Sequence, residues 1–178
     1  MMFMNSNNNK PCPPVLSISG LKNSGKTTLI EAIIPLLLKE GIHTAVIKHH
    51  GHGFEGEIPD KPGTDTYRFL ANGAFGTVVY DDDMAAIVKR SKMGTEELIS
   101  LFYDADLIII EGAKHEPWPR IAMLRTGQPL PDDTGTLLCV VTDNDYDQKM
   151  VPVGIQRFDF ESPESVSAFI LNWIASLK

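Results

Sequence analysis

The apolar positions of the chain switch between two periods. Val15-Leu16-Ser17-Ile18-Ser19 is a short, mostly apolar run that predicts a buried strand. Thr28-Leu29-Ile30-Glu31-Ala32-Ile33-Ile34 then opens a helix that runs to about Lys39 and ends at Gly41, a suitable C-cap. Apolar residues cover most of the circumference of this helix, as expected of a helix packed between a sheet and something else. Pro35 inside it cannot donate to the Glu31 carbonyl, which predicts a kink. Thr44-Ala45-Val46-Ile47-Lys48 is the second predicted strand. Strand, helix, strand over about thirty residues implies a parallel, right-handed crossover, so both strands end at the same edge of a sheet.

The same reading continues along the chain. Asp60-Lys61-Pro62-Gly63 is a turn, after which Thr64 or Asp65 caps a helix with Tyr67, Leu70, Ala71 and Ala74 on one face. Ala74 to Tyr80 reads as a third strand whose solvated end is Asp81-Asp82-Asp83. Thr95-Glu96-Glu97 starts another helix with acidic residues in its first turn. Asp106-Leu107-Ile108-Ile109-Ile110-Glu111-Gly112 is a fourth strand, apolar enough to be central and covered on both faces. Arg120 to Arg125 alternates like a half-buried strand, Leu137 to Val141 reads as another buried strand, and Val151-Pro152-Val153 as a short edge strand. Ser162-Pro163-Glu164 opens a last helix, with Val166, Phe169, Ile170, Trp173, Ile174 and Leu177 at helical spacing. The fold class expected is α/β, a mostly parallel sheet flanked by helices. Residues 15–178 form one expected domain without internal repeats, and residues 1–14 a flexible arm.

Composition narrows the function. At 178 residues the chain can bury a sizeable core. A net charge of -7 argues against a nucleic-acid-binding surface and against docking on anionic lipid. No apolar run approaches the roughly 20 residues of a membrane span. The first fourteen residues lack the apolar core of a secretion signal, and two cysteines make no disulfide framework, so a cytoplasmic location is expected. Cys139, inside an apolar run, is expected to be a buried, inert thiol.

Chemistry is concentrated in Gly20-Leu21-Lys22-Asn23-Ser24-Gly25-Lys26-Thr27, which fits G-x-x-x-x-G-K-[ST] between a strand and a helix. Backbone N–H groups of such a loop face phosphate oxygens at the positive end of the helix dipole. Gly20, Lys22, Asn23, Ser24, Gly25, Lys26, Thr27 and Thr28 are the expected nucleotide-binding residues. Lys26 reaches the β- and γ-phosphates, and the Thr27 hydroxyl takes a Mg²⁺ position. The crossover brings Lys48 and His49 to the same edge, and Lys48 joins the expected nucleotide-binding residues. Glu111, at the C-terminal end of its strand, is the expected acid on the Mg²⁺ side. Asp106 lies five residues upstream, roughly 16 Å away at about 3.3 Å per residue. Asp65 is the candidate to complete the outer metal shell. Lys26 and Glu111 are therefore the expected catalytic pair, with Thr27, Asp65 and Glu111 on the metal. His49, His50 and His52 lack the paired ligand spacing of a zinc site and are read as solvated loop histidines.

These residues, taken in order, resemble one family. The phosphate loop through Leu29, Val46-Ile47-Lys48-His49, Asp60 to Arg68, Gly73-Ala74 and Glu111-Gly112-Ala113-Lys114 all look like MobB, the molybdopterin-guanine dinucleotide biosynthesis adaptor family. The resemblance runs from about Val15 to Arg125. It implies a P-loop NTPase fold, a homodimer, GTP with Mg²⁺ as ligands and weak GTP hydrolysis. It also implies as partners the guanylyltransferase that joins GMP to molybdopterin, and molybdopterin itself. The chain departs from the family pattern at Thr64-Asp65-Thr66, where Lys-Asp-Ser is frequent, and at Ala113, where Phe is common. No N-K-x-D motif occurs, so guanine specificity is implied by the resemblance alone. Asp143, at a strand end on the active edge, is the candidate to accept from the guanine N1–H and N2–H₂. The apolar wrapping of the first helix and the strand at 120–125 also suggest a homodimer. A small-molecule kinase or a metallochaperone GTPase would use the same loop, but the arginines Arg68, Arg120 and Arg125 outline no lid, and no metal-binding tract is evident.

Overall fold

A computed structural model describes residues 12–50, 53–54, 57–112, 115–132 and 134–178. The chain divides into two compact units, Met1–His49 with Leu98–Lys178, and His50–Glu97.

The larger unit is a parallel sheet with covered faces. Its strands are β1 (Val15–Gly20), β2 (Thr44–Lys48), β5 (Leu107–Glu111), β6 (Arg120–Leu124), β7 (Leu137–Thr142) and β8 (Gln156–Asp159), in the order β2-β5-β1-β6-β7-β8. Every pairing in this sheet is parallel. Alternate residues of each inner strand face opposite ways. Leu16, Ile18, Leu107, Ile109, Ile121, Met123, Cys139 and Val141 point into one core with α1 (Lys26–Lys39) and α4 (Pro163–Ser176). On the other face Val15, Ile108 and Ile110 meet Ile99, while Ala122, Leu124 and Val140 meet Tyr146 and Val151. Because both faces are covered, the inner strands are apolar at most positions, with Ser17 and Ser19 the buried polar exceptions on β1. The parallel α/β sheet flanked by helices is the architecture expected from the sequence.

Local signals end the elements where chemistry requires. α1 runs through Pro35 to Lys39, and Gly41 (φ 77°) closes it: its N–H donates to the Leu38 carbonyl, and the Ile42 N–H to that of Leu37. This is a Schellman closure, sealed by Ile42 against the core that holds Leu37. α4 begins with Ser162 at the N-cap position and Pro163 behind it, though the Ser162 hydroxyl makes no capping bond. Of the expected N-terminal arm, residues 1–11 lie outside the described residues. Pro13 is buried, and the Pro14 carbonyl accepts from the Ile108 N–H.

Two expectations for this unit are corrected. The strand at 120–124 is buried at all five positions rather than half-buried, because it lies between β1 and β7. Its one cation, Arg120, turns inward and donates from Nε to the Gly135 carbonyl at 3.0 Å. The edge strand is Gln156–Asp159 and not 151–153, where Pro152 lacks an N–H, Val153 is fully exposed and Gly154 turns the chain at φ 84°.

The smaller unit holds α2 (Asp65–Ala71) and a two-stranded antiparallel sheet of β3 (Gly76–Tyr80) and β4 (Ala85–Lys89). Thr64 is the N-cap of α2, its hydroxyl accepting from the Tyr67 N–H. The expected third strand is present from Gly76 to Tyr80, as one arm of a hairpin. Asp81 makes the turn: its carboxylate accepts from the N–H groups of Asp83 (2.9 Å) and Met84 (2.7 Å). Arg90 reaches back to the Leu70 carbonyl, tying the hairpin to the end of α2. α3 (Thr95–Ser100) follows.

Candidate functional site: the loop between β1 and α1

The phosphate loop leaves the C-terminal end of β1 with Gly20 at φ 150° and enters α1 through Gly25 at φ 95°. Both positions need glycine. A Cβ at Gly20 would stand 2.7 Å from the Met123 carbonyl oxygen, and one at Gly25 would strike the Phe160 ring. Ser24 is buried within the loop, and its hydroxyl has no hydrogen-bond partner. Lys22 and Asn23 form the exposed tip, Asn23 at φ 63°. Lys26 Nζ donates to the Gly20 and Leu21 carbonyls at 3.1 and 2.8 Å, so its charge sits in the concavity of the loop. Thr28 is exposed at the start of α1, where first-turn N–H groups lack intrahelical acceptors.

Three side chains from three elements converge beside this loop. Thr27 Oγ1 donates to Glu111 Oε1 at 3.0 Å. Lys48 Nζ lies 3.3 Å from Glu111 Oε2 and donates to Thr27 Oγ1 at 3.4 Å. The register explains the meeting: Lys48 is the Cα partner of Glu111 across β2 and β5, and Glu111 that of Ile18 across β5 and β1. Glu111 is buried, although β2 is an edge strand and Lys48 is exposed. Asp106 lies at the other end of β5, where one carboxylate oxygen accepts from the His43 N–H and contacts His43 Nδ1, both at 3.0 Å.

The remaining candidates have surroundings of their own. Asp143 follows β7 and holds the neighbouring loop. Its two oxygens accept from the Thr126 hydroxyl (2.7 Å) and N–H (3.0 Å), and these bonds, the hydroxyl's first, hold its carboxyl below the usual 3.8. Asp65 belongs to the smaller unit, where it opens α2 and pairs with Arg68 at 3.4 Å. His49 is exposed, and His50 stacks on Phe54, while His52, Ala113 and Lys114 lie outside the described residues. Among the described residues no group of three or more His, Cys, Asp or Glu is placed to share a metal ion.

Two arginines matter more than their sequence context suggests. Arg125 Nε donates to the Ser24 carbonyl at 3.2 Å, with its guanidinium 3.9 Å from the Phe160 ring centroid. Together they form the wall that Gly25 passes. Arg157 donates from Nε to Thr142 Oγ1 at 2.7 Å and from its terminal nitrogen to the Asp143 carbonyl at 2.9 Å. The one signal for Arg125 is its place directly after an apolar strand that ends at the same edge as β1.

With this geometry in view, comparison with known proteins is decisive. The sequence model of MobB, described as Molybdopterin guanine dinucleotide synthesis protein B, matches residues 15–143. The chain belongs to the MobB family. It is 34% identical over 173 residues to the molybdopterin-guanine dinucleotide biosynthesis adapter protein of Haemophilus influenzae, covering 90% of this chain and 89% of that one. A Bacillus subtilis protein named as a probable adapter of the same kind is 30% identical over 161 residues, covering 89% and 92%. The crystal structure of Bacillus subtilis MobB superposes with a TM-score of 0.72 at 28% identity, covering 89% of this chain and 96% of that one. A second MobB crystal structure gives 0.68 at 26% identity over 90% and 99%. The fold is that of a P-loop NTPase. Among the described residues no helix is long and apolar enough to cross a membrane.

Proposed function

We propose that this MobB-family protein binds GTP with Mg²⁺ in the loop from Gly20 to Thr28 and hydrolyses it slowly. Its role is to assist a guanylyltransferase in joining GMP to molybdopterin. The observation that carries the nucleotide reading is the convergence of Thr27, Glu111 and Lys48 beside a glycine-shaped loop containing Lys26. The adapter role rests on the names of the relatives, which are molybdopterin-guanine dinucleotide biosynthesis adapter proteins.

The donor set fits Mg²⁺, a hard cation that takes oxygen ligands and keeps several waters. A hydroxyl and a buried carboxylate stand 3.0 Å apart, and the unpartnered Ser24 hydroxyl adds a polar atom inside the loop. Thr27 would ligate directly, and Glu111 would hold a water of the ion. The ion would supply charge neutralisation at the β- and γ-phosphate oxygens. Lys26 exchanges the two loop carbonyls for phosphate oxygens, a charge-assisted bond replacing two neutral ones. Arg125 and Phe160 hold the Ser24–Gly25 turn so that its N–H groups keep one direction. Asp143, already fixed by Thr126, keeps lone pairs free to accept from a guanine edge. Glu111 stands where it would orient a water, which suits slow hydrolysis.

Calorimetric titration with GTP and ATP tests this reading, with Lys26→Ala as the control. Tight GTP binding lost in a folded Lys26→Ala variant is expected. Unchanged affinity in that variant would overturn the site, and acceptor-dependent ADP release would point instead to a kinase.

The partner set includes a second copy of the chain. The two features that suggested this from sequence are satisfied within one chain, since α1 packs with α4 and β6 is internal. The hairpin gives a different ground: Val78, Val79, Tyr80 and Ile87 on its two short strands, and Met84 in the turn between them, are all more than half exposed. A two-stranded sheet is at most marginally stable alone and gains from further strands, which a second hairpin would provide. Light scattering at micromolar concentration should give twice the chain mass, and Val79→Lys should halve it. A monomeric wild type would refute the dimer.

A further inference from the structure

We propose that Lys48 is a built-in counter-ion to the Glu111–Thr27 pair, which occupies the metal side of the nucleotide-free site and competes with a divalent cation for it. The inference rests on the reading of Thr27 and Glu111 as the Mg²⁺ side of the site.

The argument begins with Glu111. It closes a strand whose other residues are all apolar, and it is 7% exposed. A carboxylate so placed needs a cation or several donors, because an unpaired charge is strongly disfavoured away from water. Thr27 supplies one donor at 3.0 Å. The cation is Lys48, 3.3 Å from the other carboxylate oxygen. Lys26 and Arg125 are turned to loop carbonyls, Lys26 to those of Gly20 and Leu21 and Arg125 to that of Ser24. Lys48 is therefore the cation that the sheet register delivers to Glu111.

The same ammonium also donates to Thr27 Oγ1, at 3.4 Å. Thr27 thus donates to the carboxylate and accepts from the lysine, and a lone pair that a metal would need is engaged by Lys48. The ammonium touches both side chains assigned to the metal, and no other residue is needed to explain how they are held together.

Lys48 is also built to leave. Its side chain is 57% exposed and hangs from an edge strand, so the head can move into water with little loss of solvation. A divalent ion carries twice the charge of the ammonium, and Thr27 would hold it directly and Glu111 through a water. When the ion arrives with its nucleotide, Lys48 exchanges a carboxylate for a phosphate oxygen, which also accounts for its place at the nucleotide. In the absence of nucleotide the lysine neutralises Glu111 and keeps the metal affinity low. The ion then enters chiefly as part of the metal–nucleotide complex.

The test uses the full chain without nucleotide and Mn²⁺ alone as the probe, read as free Mn²⁺ by electron paramagnetic resonance. Lys48→Met and Lys48→Gln should each bind Mn²⁺ about tenfold more tightly than wild type, the size expected of one partly exposed ion pair with a charge-assisted hydrogen bond. Adding Glu111→Gln to either variant should erase the gain. Unchanged or weaker Mn²⁺ binding in a folded Lys48 variant overturns the proposal, as does a gain that survives Glu111→Gln. GTP titration of the same wild-type preparation separates the two readings. Absent GTP binding refutes the nucleotide site, while normal GTP binding with no gain in Mn²⁺ affinity refutes only the role of Lys48.

Discussion

Glu111→Gln against Asp106→Asn is the sharpest contrast the site allows. Both acids flank β5, and both substitutions remove a charge while keeping shape. For Glu111 the loss is the ion pair to Lys48 at 3.3 Å and the charge assistance of the Thr27 bond at 3.0 Å. Because Lys48 is mostly exposed, the pair is discounted to about 1 kcal/mol, and the weakened hydrogen bond adds about 0.5–1. The sum of about 1.5–2 kcal/mol predicts a Tm lowered by roughly 3–8 °C for a chain of this size. Turnover should fall much further, by about 10²-fold or more, as it does when a positioned electrostatic group is removed from a reaction centre. Asp106 pairs with His43 at the far end of the strand, where both side chains are more than a third exposed. Asparagine keeps a carbonyl oxygen for the His43 N–H, so its cost is about 0.5 kcal/mol or less, and turnover stays within about twofold. Single-turnover GTP hydrolysis across a Mg²⁺ titration, with a thermal melt of each variant, measures both effects. Loss of Mg²⁺ dependence in Asp106→Asn, or near-normal turnover in Glu111→Gln, would refute the assignment of the active edge.

Gly25→Ala should abolish GTP binding in a chain that still folds, because φ 95° and the Phe160 ring together exclude a Cβ; calorimetry and circular dichroism read the two halves of that statement. Burial pushes the Cys139 thiol up to about 12, so a thiol reagent at pH 8 should label only Cys12 in the native protein; labelling of both before unfolding would contradict the buried β7. The lowered carboxyl of Asp143 adds stability that is fully present above its ordinary value of 3.8 and is lost as pH falls through the lower folded value. Urea midpoints should therefore drop more steeply below pH 4 in wild type than in Asp143→Asn, and equal slopes would show that the Thr126 bonds do not select the charged form.

Much of the larger unit was legible because its strands are covered on both faces. Val15–Gly20, Leu107–Glu111 and Leu137–Thr142 carry apolar runs that only an inner parallel strand requires, and the reading of each held. The errors came where a side chain contradicted the burial of its backbone. Arg120 looks like the polar beat of a half-buried strand, yet it turns inward to a loop carbonyl. Gln156-Arg157-Phe158-Asp159 alternates as an edge strand should, but the more apolar Val151-Pro152-Val153 drew the assignment. The hairpin was half seen. Asp81 to Asp83 read as a strand end, because nothing local announces that Asp81 will accept from two following N–H groups and return the chain as β4.

The site divides along the same physical line. The glycine loop is a local object, so spacing alone located Gly20, Gly25, Lys26 and Thr27. The company it keeps depends on register between strands far apart in sequence. Lys48 meets Glu111 because they are partners across β2 and β5, and Arg125 meets Ser24 because β6 ends beside β1. Whole-chain charge gives no hint of this. A net charge of -7 describes the average surface, but at physiological salt a field decays over about 8 Å, so a bound phosphate responds to the few charges nearest it. Lys22 and Lys26 from the loop, Lys48 from β2 and Arg125 after β6 are gathered at one sheet edge by topology, with Glu111 buried among them. An acidic chain thus gathers cations at one sheet edge around the buried Glu111 carboxylate, the arrangement that the proposed metal–nucleotide ligand requires.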